Sequence, residues 1–419
     1  MMPLSTSNIY GKVSLWLVLV GMFFTPLSTA LSNLVLVGAV LALFLGSWQC
    51  RLHLLLRHRF LNALLLFLVV SGLGLFFTPG PLALSLNAWG TKLYMVVTLV
   101  AILPLFVEEK MRHMAINAFI YGIGFVCLLL IIYGLFEPLS ASTNIIWHHV
   151  RLYHWTSFLP LGTLSALALF VMLHKLCSAA KHKWLLVIAF LATAYINFFF
   201  ITKRTGTVIF ILLLILFCWQ RLPRKQFWLG LLAIIVIGAG LFAVSSGLRN
   251  KFEEAFSSVQ QYQLAEQGKL SHQQTLRAYG SSVGQRLYVS ELAVKLVAEQ
   301  PWIGHGAGRV GNAYNQLHDP VFVSFNRPHM NDPDNMYVKM AVQWGVPGLL
   351  LYVLFLVFAW YEARYLPPFE RNIAVGLAVT YLVAGLVTSI FWKHMTALTL
   401  VVLLGVLFAA SKKPKTLLP

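Results

Sequence analysis

The sequence predicts an all-α integral membrane protein of about 12 transmembrane helices, with a large, mainly helical loop on its outer face between spans 9 and 10. Three observations carry this. Of 419 residues, 59% are apolar and 11% charged, where an ordinary globular domain has roughly 25% charged residues. Apolar runs long enough to cross a bilayer recur along the chain, at roughly 20 residues per helix. A single polar stretch of about 90 residues interrupts them. Such a composition excludes a disordered chain, a coiled coil and a cytosolic enzyme core.

In chain order the spans are read at 12–30, 32–48, 60–77, 92–107, 115–135, 158–174, 184–201, 207–219, 227–246, 338–360, 373–391 and 396–411. The eighth is short, and only a small polar break near Ser28 to Asn33 separates the first two. A cleaved signal peptide is not expected, because the first span lacks a small-residue cleavage site and leads straight into another. The basic residues then set the orientation. Seventeen lie in one set of connections: Lys12; Arg51, Arg57 and Arg59; Lys110 and Arg112; Lys175, Lys181 and Lys183; Arg221, Arg224 and Lys225; Arg364 and Arg371; Lys412, Lys413 and Lys415. The short connections on the opposite face hold five: Lys92, Arg151, Lys203, Arg204 and Lys393. The positive-inside tendency puts the first set, and both termini, in the cytoplasm. The net charge of +18 is therefore mostly an orientation signal, and no nucleic-acid partner is implied.

The chain accordingly divides into residues 1–246 (spans 1–9), the outer loop or cap at 247–337, and residues 338–419 (spans 10–12 and a cytoplasmic tail). Eight of the thirteen acids fall in the loop segment. A loop this long is improbable without structure of its own or a function. Tyr288, Leu292 and Leu296 recur every four residues, as do Val289, Ala293 and Val297, with Glu291 and Lys295 paired on another face; this is a helix. Pro301 and the glycines at 304, 306 and 308 end it. The four cysteines suggest no structural disulfide, since none lies in the cap: Cys50 and Cys177 are on the cytoplasmic side, and Cys127 and Cys218 lie in spans. No spacing suggests a metal site, and no phosphate-binding glycine loop is present, so an energy-coupled pump is not expected.

Ionisable groups at the ends of spans are costly and often functional. Lys203 and Arg204 stand in Ile201-Thr202-Lys203-Arg204-Thr205-Gly206-Thr207, where hydroxyls and a glycine suit an anion; the alternative is snorkelling to lipid phosphates. Arg151, in His148-His149-Val150-Arg151-Leu152-Tyr153-His154-Trp155, fits a headgroup belt or a sugar-stacking site equally. Lys92, after Trp89 at the start of span 4, has the same two readings, whereas Lys393 and His394 are read as surface residues of a turn. In Gly284-Gln285-Arg286-Leu287, Arg286 is placed in a helical first turn, where a cation opposes the helix dipole. A bound anion would explain that exception. The densest cluster is Asn326-Arg327-Pro328-His329-Met330-Asn331-Asp332-Pro333-Asp334-Asn335-Met336-Tyr337, leading to Gly345-Val346-Pro347-Gly348. It offers a general base for a sugar hydroxyl, or simply a polar turn capping the next helix; for Asp332 the cap is preferred.

At this cluster the chain resembles the O-antigen ligase and polymerase superfamily, integral-membrane proteins of bacterial envelope polysaccharide assembly. The resemblance covers most of the chain and rests on the spans, the large periplasmic loop between spans 9 and 10, and three local matches. Thr202-Lys203-Arg204-Thr205 looks like the family's periplasmic arginine turn after span 7. Gly284-Gln285-Arg286, followed by Pro301-Trp302-Ile303-Gly304-His305-Gly306, looks like its second arginine helix and glycine turn. Asp334-Asn335, nine residues, then Gly345-Val346-Pro347-Gly348 is similar to its His-Asn, nine residues, Gly-x-x-Gly motif. Where the family carries its catalytic histidine, this chain has Asp334. An aspartate of unperturbed pKa near 4 is a weak base at neutral pH unless burial raises it. His329, five residues earlier, could supply the imidazole instead.

The resemblance implies an O-antigen ligase: metal-independent, inverting glycosyl transfer without a cofactor, at the outer face of the bacterial inner membrane. The donor it implies is a glycan on undecaprenyl pyrophosphate and the acceptor lipid A–core, among membrane lipids. Arg204 and Arg286 would bind the pyrophosphate and stabilise its developing charge, helped by Lys203, Arg151 and Lys92. Arg327 and Asn335 would also contact substrate, and Asp334 or His329 would deprotonate the acceptor hydroxyl. The alternatives are an O-antigen polymerase and, in a different class, a lipid-linked oligosaccharide transporter. Clustering of Arg204, Arg286 and residues 326–337 at one mouth argues against the transporter. Oligomeric state is left open.

Overall fold

The computed structural model describes residues 9–45, 58–77, 82–136, 158–178, 183–200, 204–244, 246–319, 321 and 333–412. Among these there is no strand. Among the described residues, a helix overlaps each apolar stretch, with bounds that differ by several residues: α1 (Ile9–Phe24), α2 (Leu34–Leu45), α3 (Arg59–Phe77), α4 (Leu82–Ile102), α5 (Glu109–Phe136), α6 (Phe158–Leu176), α7 (Lys183–Tyr195), α8 (Arg204–Arg221) and α9 (Arg224–Val244), then, after the polar segment, Met336–Glu362, Pro368–Gly385 and His394–Phe408. Four of the described helices (α3, α4 with its continuation to Phe106, α5 and the one opening at Met336) are long and apolar enough to cross a membrane, and six more are shorter apolar helices. Helix α9 leaves Trp228, Leu229, Leu232, Ile235, Val236 and Ile237 each more than half exposed. An outward surface that apolar is stable in lipid rather than water. The protein is an all-helical membrane protein.

Between α9 and the next apolar helix lie α10 (Ser246–Glu266), α11 (His272–Gly280), α12 (Ser282–Glu299) and α13 (Val310–Gln316). Their starts follow from local chemistry. Ser271 and Gln274 form a reciprocal capping box on α11, and the Ser281 side chain accepts from Gly284 N–H at 3.0 Å on α12. The four-residue periodicity of α12 buries Tyr288, Val289, Leu292, Ala293 and Leu296 with Ala278, Tyr279, Val310 and Tyr314 in a second core, which Val342 of the following apolar helix joins. Tyr279 and Tyr288 stack at 4.7 Å. Their hydroxyls, with that of Tyr262, each donate to a carboxylate: Tyr279 to Glu266 at 2.6 Å, Tyr262 to Glu291 at 3.1 Å, and Tyr288 to Asp319. Helix α12 starts at Ser282, so Arg286 stands in its second turn rather than its first.

Helix α14 (Met336–Glu362) is two helical pieces joined at a kink within the expected span, and the sequence explains why. Gly345 takes φ +65 and stops the first piece, and Pro347 falls in the first turn of the second, where its missing N–H costs nothing. The break frees backbone groups for the glycine turn of the cap. His305 N–H donates to Val342 O at 2.8 Å, Gly306 N–H to Gln343 O at 3.0 Å, and Val346 N–H to Pro301 O at 2.8 Å. Gly304, Gly306 and Gly308 all have positive φ.

Helices α15 (Pro368–Gly385) and α16 (His394–Phe408) complete the bundle. Its end opposite the cap is fixed by buried pairs, as charges in an apolar interior require. His58 Nδ1 lies 3.1 Å from Glu362 Oε2, whose other oxygen accepts from Arg59 N–H at 2.9 Å. Arg112 Nε donates to Glu370 at 3.0 Å; nearer the surface, Arg221 Nε donates to His174 Nδ1 at 3.2 Å and Lys175 to Asn117. These contacts order the helices: α6 and α8 run parallel, both ending at this far end, so Arg204 opens α8 at the cap end.

Two expectations about boundaries change. Helix α4 begins at Leu82, ten residues before the expected span, because Ser85, Asn87 and Thr91 lower the hydropathy of a segment that is helical nonetheless. Ser85 is buried, donating to Ala307 O at 3.0 Å and accepting from Arg309 Nε at 3.3 Å. Helix α15 ends at Gly385 rather than 391.

Candidate functional site

The site lies where the cap meets the cap end of the bundle. Asp334 precedes α14 with a left-handed backbone, φ 49, which aspartate tolerates better than most residues. Asn335 is the N-cap of α14, its side chain accepting from Tyr337 N–H at 3.0 Å and Val338 N–H at 3.2 Å. The Tyr337 hydroxyl donates to Leu382 O at 2.6 Å, tying this start to α15. So the turn is held by its own backbone, and the Asp334 side chain is left for other partners.

Two cations meet that carboxylate. Arg286 Nη2, from α12, is 3.8 Å from Oδ2, and Lys393 Nζ, at the N-cap of α16, is 3.9 Å from Oδ1. Both distances exceed a hydrogen bond, and all three side chains are 25–38% exposed. Arg286 Nε is buried with no hydrogen-bond partner. Behind Lys393, Lys92 donates to Phe391 O at 3.1 Å and sits 3.6 Å from the centre of the Trp392 ring, with Lys339 Nζ 4.9 Å from the same ring. His394 Nδ1 lies 3.0 Å from the Tyr94 hydroxyl. A group of cations around one carboxylate can hold an anion and stabilise charge developing on it.

The structure therefore brings Asp334 and Arg286 together and places Arg204 at the same end of the bundle. Lys92 is corrected: it lies inside α4 and is buried, not in a surface connection. Asn335 is a helix cap, a structural duty that leaves its side-chain oxygen occupied. Lys393 is corrected too, from a surface residue to a partner of Asp334; its only sequence signal was a cation on the face where cations are rare. Arg309, in the polar loop, and Lys339, at the start of span 10, gave no signal, because the sequence does not show what either packs against. The deep burial that a carboxylate base would need is not what surrounds Asp334. Arg151, Lys203, Arg327, His329 and Asp332 lie outside the described residues.

A helical membrane protein with a small folded cap that meets a cluster of cations at one end of its bundle is the class of molecule that fold and site define. Residues 184–353 form a domain that matches the family model described as O-antigen ligase. That domain runs from α7 into α14 and contains Arg204, Arg286, the glycine turn, Asp334 and the helix break. Enzymes of this family are membrane glycosyltransferase-like proteins that act on lipid-linked glycans. No curated protein matches the chain.

Proposed function

We propose that the protein is an O-antigen ligase, moving a glycan from undecaprenyl pyrophosphate to lipid A–core at the periplasmic face of the bacterial inner membrane. Residues 247–337 are then the periplasmic cap, residues 1–246 and 338–419 the membrane parts, with twelve spans and both termini in the cytoplasm. The observation that carries the reading is the convergence on Asp334 of Arg286, which like Asp334 lies within the matched residues 184–353, and of Lys393, which lies beyond them. The acceptor hydroxyl oxygen attacks the anomeric carbon from the face opposite the diphosphate, which gives inversion. As the new glycosidic bond forms, the bond to the diphosphate oxygen breaks and undecaprenyl pyrophosphate leaves with the electron pair. Arg286 and Arg204, with Lys393 and Lys203, stabilise the charge on that leaving group. The acceptor proton goes to His329, with Asp334 holding the cations and orienting the acceptor, or to Asp334 itself. The leaving group is already activated, so no nucleotide is consumed.

Purified protein incubated with lipid-linked glycan and lipid A–core tests this. Ligation attaches glycan to the core. Elongation of the lipid-linked chain without transfer to core would make the protein a polymerase. Translocation with no bond cleaved would make it a transporter.

A further inference from the structure

A second concave site lies away from the cap. Helices α5 and α7, with Phe23 from the end of α1 and Lys175 from the end of α6, enclose an open groove of about 670 Å3. It runs from Asn117 to Leu128 on α5 and from Leu185 to Ala192 on α7. The stretch of α5 between Asn117 and Leu128 rises about 16 Å. The groove is thus about as long as one leaflet of a ~30 Å hydrocarbon core is thick. Its floor follows from two small residues. A Cβ on Gly124 would lie 3.0 Å from Ala189 Cβ, so α5 and α7 approach closely there while their larger side chains stand up on either side.

The lining is charged at one end. Among the described lining residues, the polar side chains are those of Asn117, Tyr121 and Lys175, and the rest are apolar. Asn117 and Lys175 stand at the end away from the cap, where α6 stops. Lys175 donates to Asn117 Oδ1. A cation at a helix C-terminus also suits the dipole, and the two facts together would explain a lysine on a flat surface. They do not explain why this one reaches from α6 to α5 at the mouth of a groove. An ammonium has three donors, and the partner of Lys175 is a neutral amide, whereas Arg112 at the same end of the bundle meets the carboxylate of Glu370. No acid is among the described residues that line the groove. An apolar trough one leaflet long, headed by a cation, complements a molecule with an anionic head and a hydrocarbon tail.

We propose that this groove binds one anionic glycerophospholipid from the leaflet at that end. Its phosphate accepts from Lys175 and from the Asn117 amide, and one acyl chain lies between α5 and α7 towards Leu128. Under the proposed topology this is the cytoplasmic leaflet. The lipid ties the end of α6 to the α5–α7 pair. Because the site is at the opposite end of the bundle from Asp334, it is separate from the transfer site, and the inference holds whichever reaction the cap end performs.

Native mass spectrometry of the purified full-length protein in detergent tests this, with phosphatidylglycerol, phosphatidylcholine of the same acyl chains and polyprenyl monophosphate as probes. One phosphatidylglycerol should stay bound under conditions that strip phosphatidylcholine, and polyprenyl monophosphate should not displace it. Equal retention of the two phospholipids, retention of neither, or displacement by the polyprenyl probe overturns the proposal. Lys175→Gln should weaken phosphatidylglycerol retention about fivefold, the scale of one lysine against an anionic lipid, and Lys175→Arg should restore most of it. Wild-type retention in Lys175→Gln overturns the headgroup assignment. Lys183→Gln is the control, since Lys183 is exposed at the start of α7 and does not line the groove; an equal loss there would mean a general charge effect and no site. Should Lys175→Gln fail to fold, Ile188→Trp decides. Ile188 is half exposed and lines the groove, so a larger ring fits the fold and fills the trough with no change of charge. It should abolish the preference for phosphatidylglycerol, and wild-type retention there overturns the proposal.

Discussion

The docking of the cap on the helix break makes a sharp prediction about one methyl group. A Cβ on Gly304 would lie 2.5 Å from Gln343 C, 2.6 Å from Gln343 O and 2.6 Å from Gly345 N. All three are backbone atoms, so no side chain can swing away. Gly304 also has φ +70, a backbone conformation that costs an L-residue roughly 1–2 kcal/mol. Overpacking a fixed interior adds roughly 1–3 kcal/mol. Gly304→Ala should therefore destabilise the cap–bundle junction by about 2–5 kcal/mol. Gly268→Ala is the internal control: its φ is +66, but nothing lies within 4 Å of the added carbon, so only the backbone part applies. Thermal unfolding of both variants in detergent, followed by tryptophan fluorescence, measures the difference. Transfer in Gly304→Ala should fall with it, because the same junction sets Arg286 beside Asp334. Equal stabilities for the two alanine variants would refute the claim that the glycine turn is clamped in the α14 kink.

Arg286→Ala should lower transfer on the order of a hundredfold, the usual effect of losing one charge contact worth about 2–4 kcal/mol to a transition state, while the protein still inserts in membranes; near-normal glycan on lipid A–core would remove Arg286 from the site. Asp334→Ala and His329→Ala, assayed side by side, separate positioning from proton transfer: the base is the residue whose loss changes the pH profile of kcat, and full transfer in both dismisses both. The cap should be sensitive to alkali. Burial, then the hydrogen bonds and charges of nearby carboxylates, raise the hydroxyl pKa values of Tyr262, Tyr279 and Tyr288. A raised folded value means that stability is intact below the unfolded value near pH 10 and is lost as pH climbs through the folded values. Tyrosinate absorbance and near-ultraviolet circular dichroism should change together above about pH 10, and early ionisation with an intact cap would contradict the packing.

What was legible in the sequence is what periodicity and punctuation encode locally. Helix α12 could be read from Tyr288, Leu292 and Leu296 because a buried face repeats with the helical period. The break in α14 was present as Gly345-Val346-Pro347-Gly348, yet mean hydropathy treats those residues as span. The same averaging misplaced the start of α4, where Ser85 and Lys92 are polar because they are partners of the cap and of Trp392, not because they face water. Arg286 and Asp334 were found through local anomalies, a cation near a helix start and an aspartate in a motif. Lys393 and Lys339 were not, since what makes them site residues is the meeting of the turn before α16 with the start of α14, a contact no local pattern specifies.

The two ends of the bundle show how one set of residue types serves two purposes. At the far end, His58 with Glu362 and Arg112 with Glu370 are buried to 7% exposure or less, at 3.1 and 3.0 Å. Breaking such a pair strands a charge, so their tightness is structural. At the cap end, Arg286 and Lys393 stand 3.8 and 3.9 Å from Asp334, and all three are partly exposed. Loose, solvated pairs contribute about 0–1 kcal/mol to stability, so stability alone does not account for three ionisable groups gathered there. They keep donors in reserve, the Arg286 Nε among them. A guest with several anionic oxygens could take up those donors without first breaking a strong bond, and Asp334 would hold both cations near their working positions until it arrives. The low cost of separating the pair is what suits this end to binding and release, as the tightness of the other suits it to holding the helices together.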